Sequence, residues 1–131
     1  MTSQYDHPTK EEVIAIHGES LAEFGGQGGI SNMGLLVSAL ARPMQHENYD
    51  AGTGLFDLAA IYCEAIIKNH PFVDGNKRCG FITAVTFLLI NGFKFEPEEV
   101  SVVETMLKVA TGDISRDELS KWFSVYSTPD M

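Results

Sequence analysis

Nine consecutive residues, His70-Pro71-Phe72-Val73-Asp74-Gly75-Asn76-Lys77-Arg78, bring together an imidazole, a carboxylate, a glycine turn and two adjacent cations. An imidazole changes charge near neutral pH, so it can take a proton from a hydroxyl. A carboxylate can hold a hard divalent cation. The apolar run that resumes at Cys79 puts Lys77 and Arg78 in the first turn of a helix. Cations there oppose the helix dipole at a cost of about 0.3–1 kcal/mol each. Free N–H groups at a helix start, a permissive glycine and two cations are what an anion site needs. Base, metal ligand and phosphate cradle together point to transfer of a phosphate-containing group. The same residues also fit a polar loop between helices whose charges are simply solvated, and residue types alone leave both readings open.

Two apolar segments must position this loop, Leu55–Asn69 before it and Cys79–Asn91 after it. Both read as helices that are apolar on most sides, as buried central helices are, and Gly92 suits the position just past the second. Pro71 stiffens the start of the loop and biases His70 towards an extended backbone. Phe72 is the large apolar residue of a polar run and is expected to anchor the loop in the core. Asp74-Gly75-Asn76 is a turn signal that also suits a helix start.

The remaining segments also read as helical. Met1–Pro8 is an irregular lead-in. Thr9-Lys10-Glu11-Glu12 forms a capping box, and Val13, Ile14, Ile16, Leu21 and Phe24 supply an apolar helix face. His17 falls on that face, pointing to the core or to a cleft. The glycine-rich stretch Gly25–Gly29 lacks the Lys and Ser/Thr of a phosphate-binding P-loop and reads as flexible helix termination. Ser31 or Asn32 can cap a short helix over Leu35–Ala41 that Pro43 stops, and Arg42–Thr53 shows no clear period. Phe93-Lys94-Phe95 crosses to Pro97, placed at the first position of a helix running to about Thr111 with Val100, Val103, Met106, Leu107 and Ala110 on one face. Gly112 stops it. Ser115-Arg116-Asp117-Glu118 is a second capping box, opening a last helix with Leu119, Trp122, Phe123 and Tyr126. The expectation is an all-α chain, one domain over residues 1–131.

Composition narrows the function classes. A chain of 131 residues with 44% hydrophobic and 21% charged residues suits one soluble domain with its own core. The net charge of −9 argues against general nucleic-acid binding. The stretch from Ala60 to Phe95 nevertheless holds Lys68, Lys77, Arg78 and Lys94 against only Glu64 and Asp74, so the loop lies in a locally basic region. The apolar run Phe81–Ile90 is too short to cross a bilayer, and no signal-peptide pattern opens the chain. Cys63 and Cys79 make neither a disulfide framework nor a metal site, and Cys63 reads as a small core residue. A cytoplasmic, reducing location is expected.

The loop resembles the Fic/Doc family motif, written HPFx[DE]GN[GK]R, and Lys77 after the Asn resembles the Doc (death-on-curing) toxin branch. The resemblance extends to the first helix with His17 and Phe24-Gly25-Gly26, to Leu55-Phe56, to Phe87-Leu88-Leu89-Ile90-Asn91-Gly92 and to Ala110-Thr111-Gly112-Asp113-Ile114-Ser115. It implies a Fic-type helical bundle with a central helix-loop-helix. It also implies a short flap over about Met44–Tyr49, an extended edge that would recruit a target peptide as an added strand; an ordinary loop fits those residues equally well.

Position by position, the resemblance implies His70 as general base towards a target hydroxyl and Asp74 as the ligand of Mg²⁺ on the nucleotide. Gly75 and Asn76 would shape an anion hole, and Arg78 would neutralise charge on the transferred group. Lys77 replaces the second glycine of most adenylyl-transferring relatives. In Doc-type toxins this goes with a reversed pose of ATP, so that the γ-phosphate meets the target hydroxyl. The arginine that many such relatives carry three positions after Arg78 is replaced by Phe81. The implied activity is a Mg²⁺- and ATP-dependent protein kinase acting on a translation protein, elongation factor Tu in that branch. Adenylyl transfer is the alternative, and a partner-binding module without chemistry is a third reading. No [ST]xxxE[GN] inhibitory helix is present in the sequence. The implied control is a separate antitoxin whose disordered tail folds in a groove near the site, lined by the first helix and Gly25–Gly34.

Overall fold

The structure, a computed structural model, describes residues 3–130. Helices α1 (Lys10–Phe24), α2 (Met33–Tyr49), α3 (Leu55–Asn69) and α4 (Asn76–Ile90) are followed by strand β1 (Phe93–Phe95). Helices α5 (Glu99–Thr111) and α6 (Arg116–Val125) and strand β2 (Ser127–Pro129) complete the chain. The architecture is a helical bundle around a central helix-loop-helix, as expected. α3 is its axis, with α4, α2, α6 and α5 packed around it. Eleven of its fifteen residues are buried, which is why the segment is apolar almost all round. α1 lies against α4 on the other side.

α3 and α4 approach closely at Gly80. A Cβ there would sit 2.9 Å from Ile67 Cγ1 and 3.0 Å from the Cys63 carbonyl oxygen, so only glycine lets the two helices meet. One apolar cluster fills the space between α3, α4, α5, α6 and β1. A second, comprising Val13, Leu36, Ala39, Ala65, Ile66, Phe72 and Cys79, lies under the loop. Both capping boxes form as expected, at Thr9 with Glu12 and at Ser115 with Glu118.

Five expectations are corrected. Pro43 does not stop a helix: α2 starts after the Asn32 cap and runs through Pro43 to Tyr49. The missing N–H costs about 3 kcal/mol in a helix interior. Pro43 is nonetheless buried in line with Leu36, Ala39 and Glu47 against α3, and that burial outweighs the lost bond. It follows that Met44–Tyr49 is helical and forms no flap; Tyr49 is almost fully exposed. Pro97 is not the first helical residue, because α5 starts at Glu99 after a Glu98 cap. Its inward face is Thr105, Met106 and Val109, while Val100, Val103 and Leu107 face solvent. Both faces of α5 are apolar, so periodicity alone could not choose between them. Finally, Phe93–Phe95 is a strand, paired antiparallel with Ser127–Pro129 in the register Phe93 to Pro129 and Phe95 to Ser127.

Candidate active site

The loop joins α3 to α4 with little slack, and its shape is set residue by residue. His70 caps α3 in the left-handed conformation (φ 52°, ψ 55°) rather than the extended one, the non-glycine residue with positive φ among the described residues. Histidine adopts this region more readily than most side chains, though at a cost. The turn it makes brings Pro71 and Phe72 back into the core. Phe72 is fully buried, as expected of an anchor, and the His17 ring stacks on it face to face at 3.7 Å. His17 Nε2–H then donates to the Asp74 carbonyl oxygen at 2.7 Å. The inward histidine of α1 therefore supports the loop from beneath.

Asn76 ties the loop into a ring. Its carboxamide accepts the Phe72 N–H at 3.0 Å and donates to the Phe72 carbonyl at 2.9 Å, all of it buried. Both ends of the side chain are therefore tied to Phe72, while among the described residues its backbone N–H is left without a partner. Gly75, at φ 79°, makes the left-handed turn that opens α4, a backbone conformation that residues with a side chain rarely adopt. α4 has no side-chain cap, and among the described residues the N–H groups of Asn76, Lys77 and Arg78 meet no acceptor. That is a helix N-terminus presented bare to an anion.

The glycine-rich stretch, expected to be a mere helix terminator, does more. Its last residue and the three that follow run alongside the loop: Ile30 bridges Phe72 in antiparallel fashion, Val73 N–H donates to the Gly29 carbonyl, and the Ser31 and Asn32 N–H groups donate to the Pro71 carbonyl. Gln27 N–H donates to Asp74 Oδ2 at 3.2 Å, and Gly75 N–H donates to Oδ1 at 2.8 Å. These two backbone bonds, with smaller help from Arg78 and His17, hold the Asp74 carboxyl below the ordinary aspartate range. Asp74 is therefore a firm anion at neutral pH. Phe24 is exposed rather than in the core, and the Arg78 guanidinium lies 4.3 Å above its ring. A flat cation on an aromatic face is favourable and fixes the orientation of Arg78.

A cleft of about 610 Å³ gathers His70, Asp74, Gly75, Asn76, Lys77 and Arg78 along one wall. All six residues singled out from the sequence meet there. Ile67, Lys68 and Ala110 complete the lining. The sequence gives no motif signal for these three, although Lys68 is two positions before His70. Each Asp74 oxygen accepts one N–H and keeps further acceptor capacity, and the residue is exposed. No group of three or more His, Cys, Asp or Glu capable of holding a metal exists among the described residues. A lone carboxylate fits Mg²⁺, which is commonly held by one or two carboxylates plus substrate phosphates and water. Among the described residues no helix is long and apolar enough to cross a membrane.

The sequence profile of the Fic/DOC family matches residues 7–88, a span that holds His17, the glycine-rich stretch, α3, the loop and most of α4. The chain belongs to the Fic/Doc family. Among its relatives, "Protein kinase doc" of Escherichia phage P1 is 34% identical over 110 residues, covering 83% of this chain and 86% of that protein. "Toxin Doc" of Mycolicibacterium smegmatis is 38% identical over 100 residues, covering 74% of this chain and 77% of that one. The Fic/Doc assignment agrees with the geometry, since the matched span includes every contact that shapes the loop.

Proposed function

We propose that this Fic/Doc chain is a Doc-like toxin that acts as a protein kinase, with ATP as phosphate donor and a threonine of elongation factor Tu as acceptor. The observation that carries the reading is the bare N-terminus of α4, where three free N–H groups, Lys77 and Arg78 face the same cleft as His70 and Asp74. The names of both relatives and the lysine at position 77 favour the toxin branch.

In this reading the His70 imidazole takes the proton of the threonine hydroxyl. The hydroxyl oxygen bonds to the γ-phosphorus, the bond from that phosphorus to the β–γ bridging oxygen breaks, and ADP leaves. Asp74 holds the Mg²⁺, which supplies charge neutralisation along the phosphates. The N–H groups of Asn76, Lys77 and Arg78 bind phosphoryl oxygens, and Arg78, braced on Phe24, neutralises the group in flight. Lys77 occupies with a cation the space that a glycine would leave to the phosphates of an AMP donor. Phe81, in the aromatic cluster with Phe95 and Trp122, offers no second cation there. Phosphorylation of the target would arrest translation in the cytoplasm, and an antitoxin whose tail folds on binding would silence the toxin.

Label transfer tests the reading. The protein is incubated with Mg²⁺, bacterial lysate and ATP labelled at the α- or the γ-phosphate, with His70→Ala as control. Label from the γ-position on one protein, absent with His70→Ala, is the expected result. Label from the α-position would make the chain an adenylyltransferase and refute the argument from Lys77. Toxicity that survives His70→Ala would point to a binding module without chemistry.

A further inference from the structure

We infer that Lys68 is a further ligand for the phosphate chain of the nucleotide, kept available by the ion pair of the buried Glu64 with Arg116; the inference rests on the nucleotide reading above. It comes from the way two cations share one carboxylate. Glu64 lies within α3 and is only 7% exposed. A carboxylate so placed needs a cation in close contact, because an unpaired buried charge is strongly destabilising. Arg116 supplies it, with Nε–H donating to Oε1 at 2.7 Å. Arg116 is the first residue of α6, where the helix dipole disfavours a cation, so its placement is explained by Glu64 rather than by its own helix. His46 Nε2 stands 3.5 Å from the same guanidinium.

Lys68 is held differently. Its ammonium reaches the other Glu64 oxygen only at 3.7 Å, and its side chain is about half exposed. A pair one helical turn apart at that distance, with its ammonium half in solvent, contributes little. Lys68 can therefore swing away from Glu64 without stranding a buried charge, because Arg116 stays behind. The place it can swing to is the cleft, which it lines together with His70 and residues 74–78. Lys68, Lys77 and Arg78 then oppose one carboxylate, Asp74, around a volume suited to a polyanion. Lys77 and Arg78 belong to the start of α4, whereas Lys68 belongs to the end of α3. Phosphates in the cleft are therefore reached from both helices that the loop connects.

The alternative is a purely structural lysine, favourable at the C-terminal end of α3. Calorimetric titration of the purified chain with ATP and Mg²⁺ separates the two. Lys68→Met is expected to weaken ATP binding about tenfold, as for a charged hydrogen bond at a half-exposed position. Lys68→Arg is expected to keep most of the affinity, and neither should shift the melting temperature noticeably. Arg116→Met, although outside the cleft, is expected to weaken ATP binding because Glu64 then claims Lys68. The double variant Glu64→Gln/Arg116→Met releases Lys68 and is expected to recover the affinity. Unchanged affinity in Lys68→Met would overturn the inference and leave the nucleotide reading standing. Failure of the unaltered chain to bind ATP would overturn both. Weakening in Arg116→Met that Glu64→Gln does not rescue would overturn the positioning role of the pair.

Discussion

Replacing Asn76 by alanine removes the clamp that closes the loop. The carboxamide satisfies both the N–H and the carbonyl of Phe72 at 3.0 and 2.9 Å, and the residue is 4% exposed. Without it two buried backbone groups lose their partner, at about 1–3 kcal/mol each. The two losses fall on one residue, and local relaxation recovers part of them. Alanine also gains about 0.5 kcal/mol over asparagine in helix propensity. The net expectation is a loss of about 3 kcal/mol, a large share of the roughly 5–15 kcal/mol that a domain holds. At this chain length that corresponds to a drop in melting temperature of about 9–15 °C. Scanning calorimetry with parallel urea unfolding measures it, and phosphate transfer is assayed well below both transitions. A melting temperature within about 3 °C of the unaltered chain, with transfer abolished, would refute the reasoning. It would mean that the carboxamide serves the substrate rather than the loop.

Two further outcomes are expected from contacts away from the cleft. Gly80→Ala gains about 1 kcal/mol in helix propensity but forces a methyl to within 3.0 Å of the Cys63 carbonyl, which cannot move aside. Overpacking of about 1–3 kcal/mol should win, so urea midpoints should fall; a rise would mean that α3 and α4 can part freely. His7 is bonded to Tyr62 and Ser3 beside Glu47, and its burial pushes its pKa below the usual 6.5 despite the pull of that carboxylate. The folded state thus favours neutral His7, so stability is full above pH 6.5 and declines as pH falls from there towards the lowered folded value. Melting temperatures of the chain and of His7→Asn from pH 8 to 5 should diverge in slope within that window; identical slopes would remove His7 as the cause.

Much of the fold was legible because it rests on local rules. The Thr9 and Ser115 capping boxes, the bounds of Leu55–Asn69 and the turn at Asp74-Gly75-Asn76 are all written in short-range patterns. The candidate site was legible for the same reason, as its six positions fall within nine residues. What failed depended on tertiary packing. Pro43 reads as a breaker until α3 is known to bury the face that carries it. α5 offers two apolar faces, and only its neighbours decide which one turns inward. Phe93–Phe95 becomes a strand through Ser127–Pro129, a partner more than thirty residues away that no local pattern announces. Phe24 reads as core until Arg78 is seen to use its ring.

The clamps on the loop have a consequence for how the chain folds. His17 reaches Asp74 across 57 residues and Gln27 reaches it across 47. Closing such distances loses chain entropy before any contact returns it, so these links belong to the late, slow part of folding. During synthesis α1 and the glycine-rich stretch leave the ribosome well before residue 74, and they must wait for it. A partly folded chain can hold α3 against α4 and still lack a shaped cleft. Pulsed hydrogen exchange would then find the amides of Phe72 and Val73 protected only after those of α3.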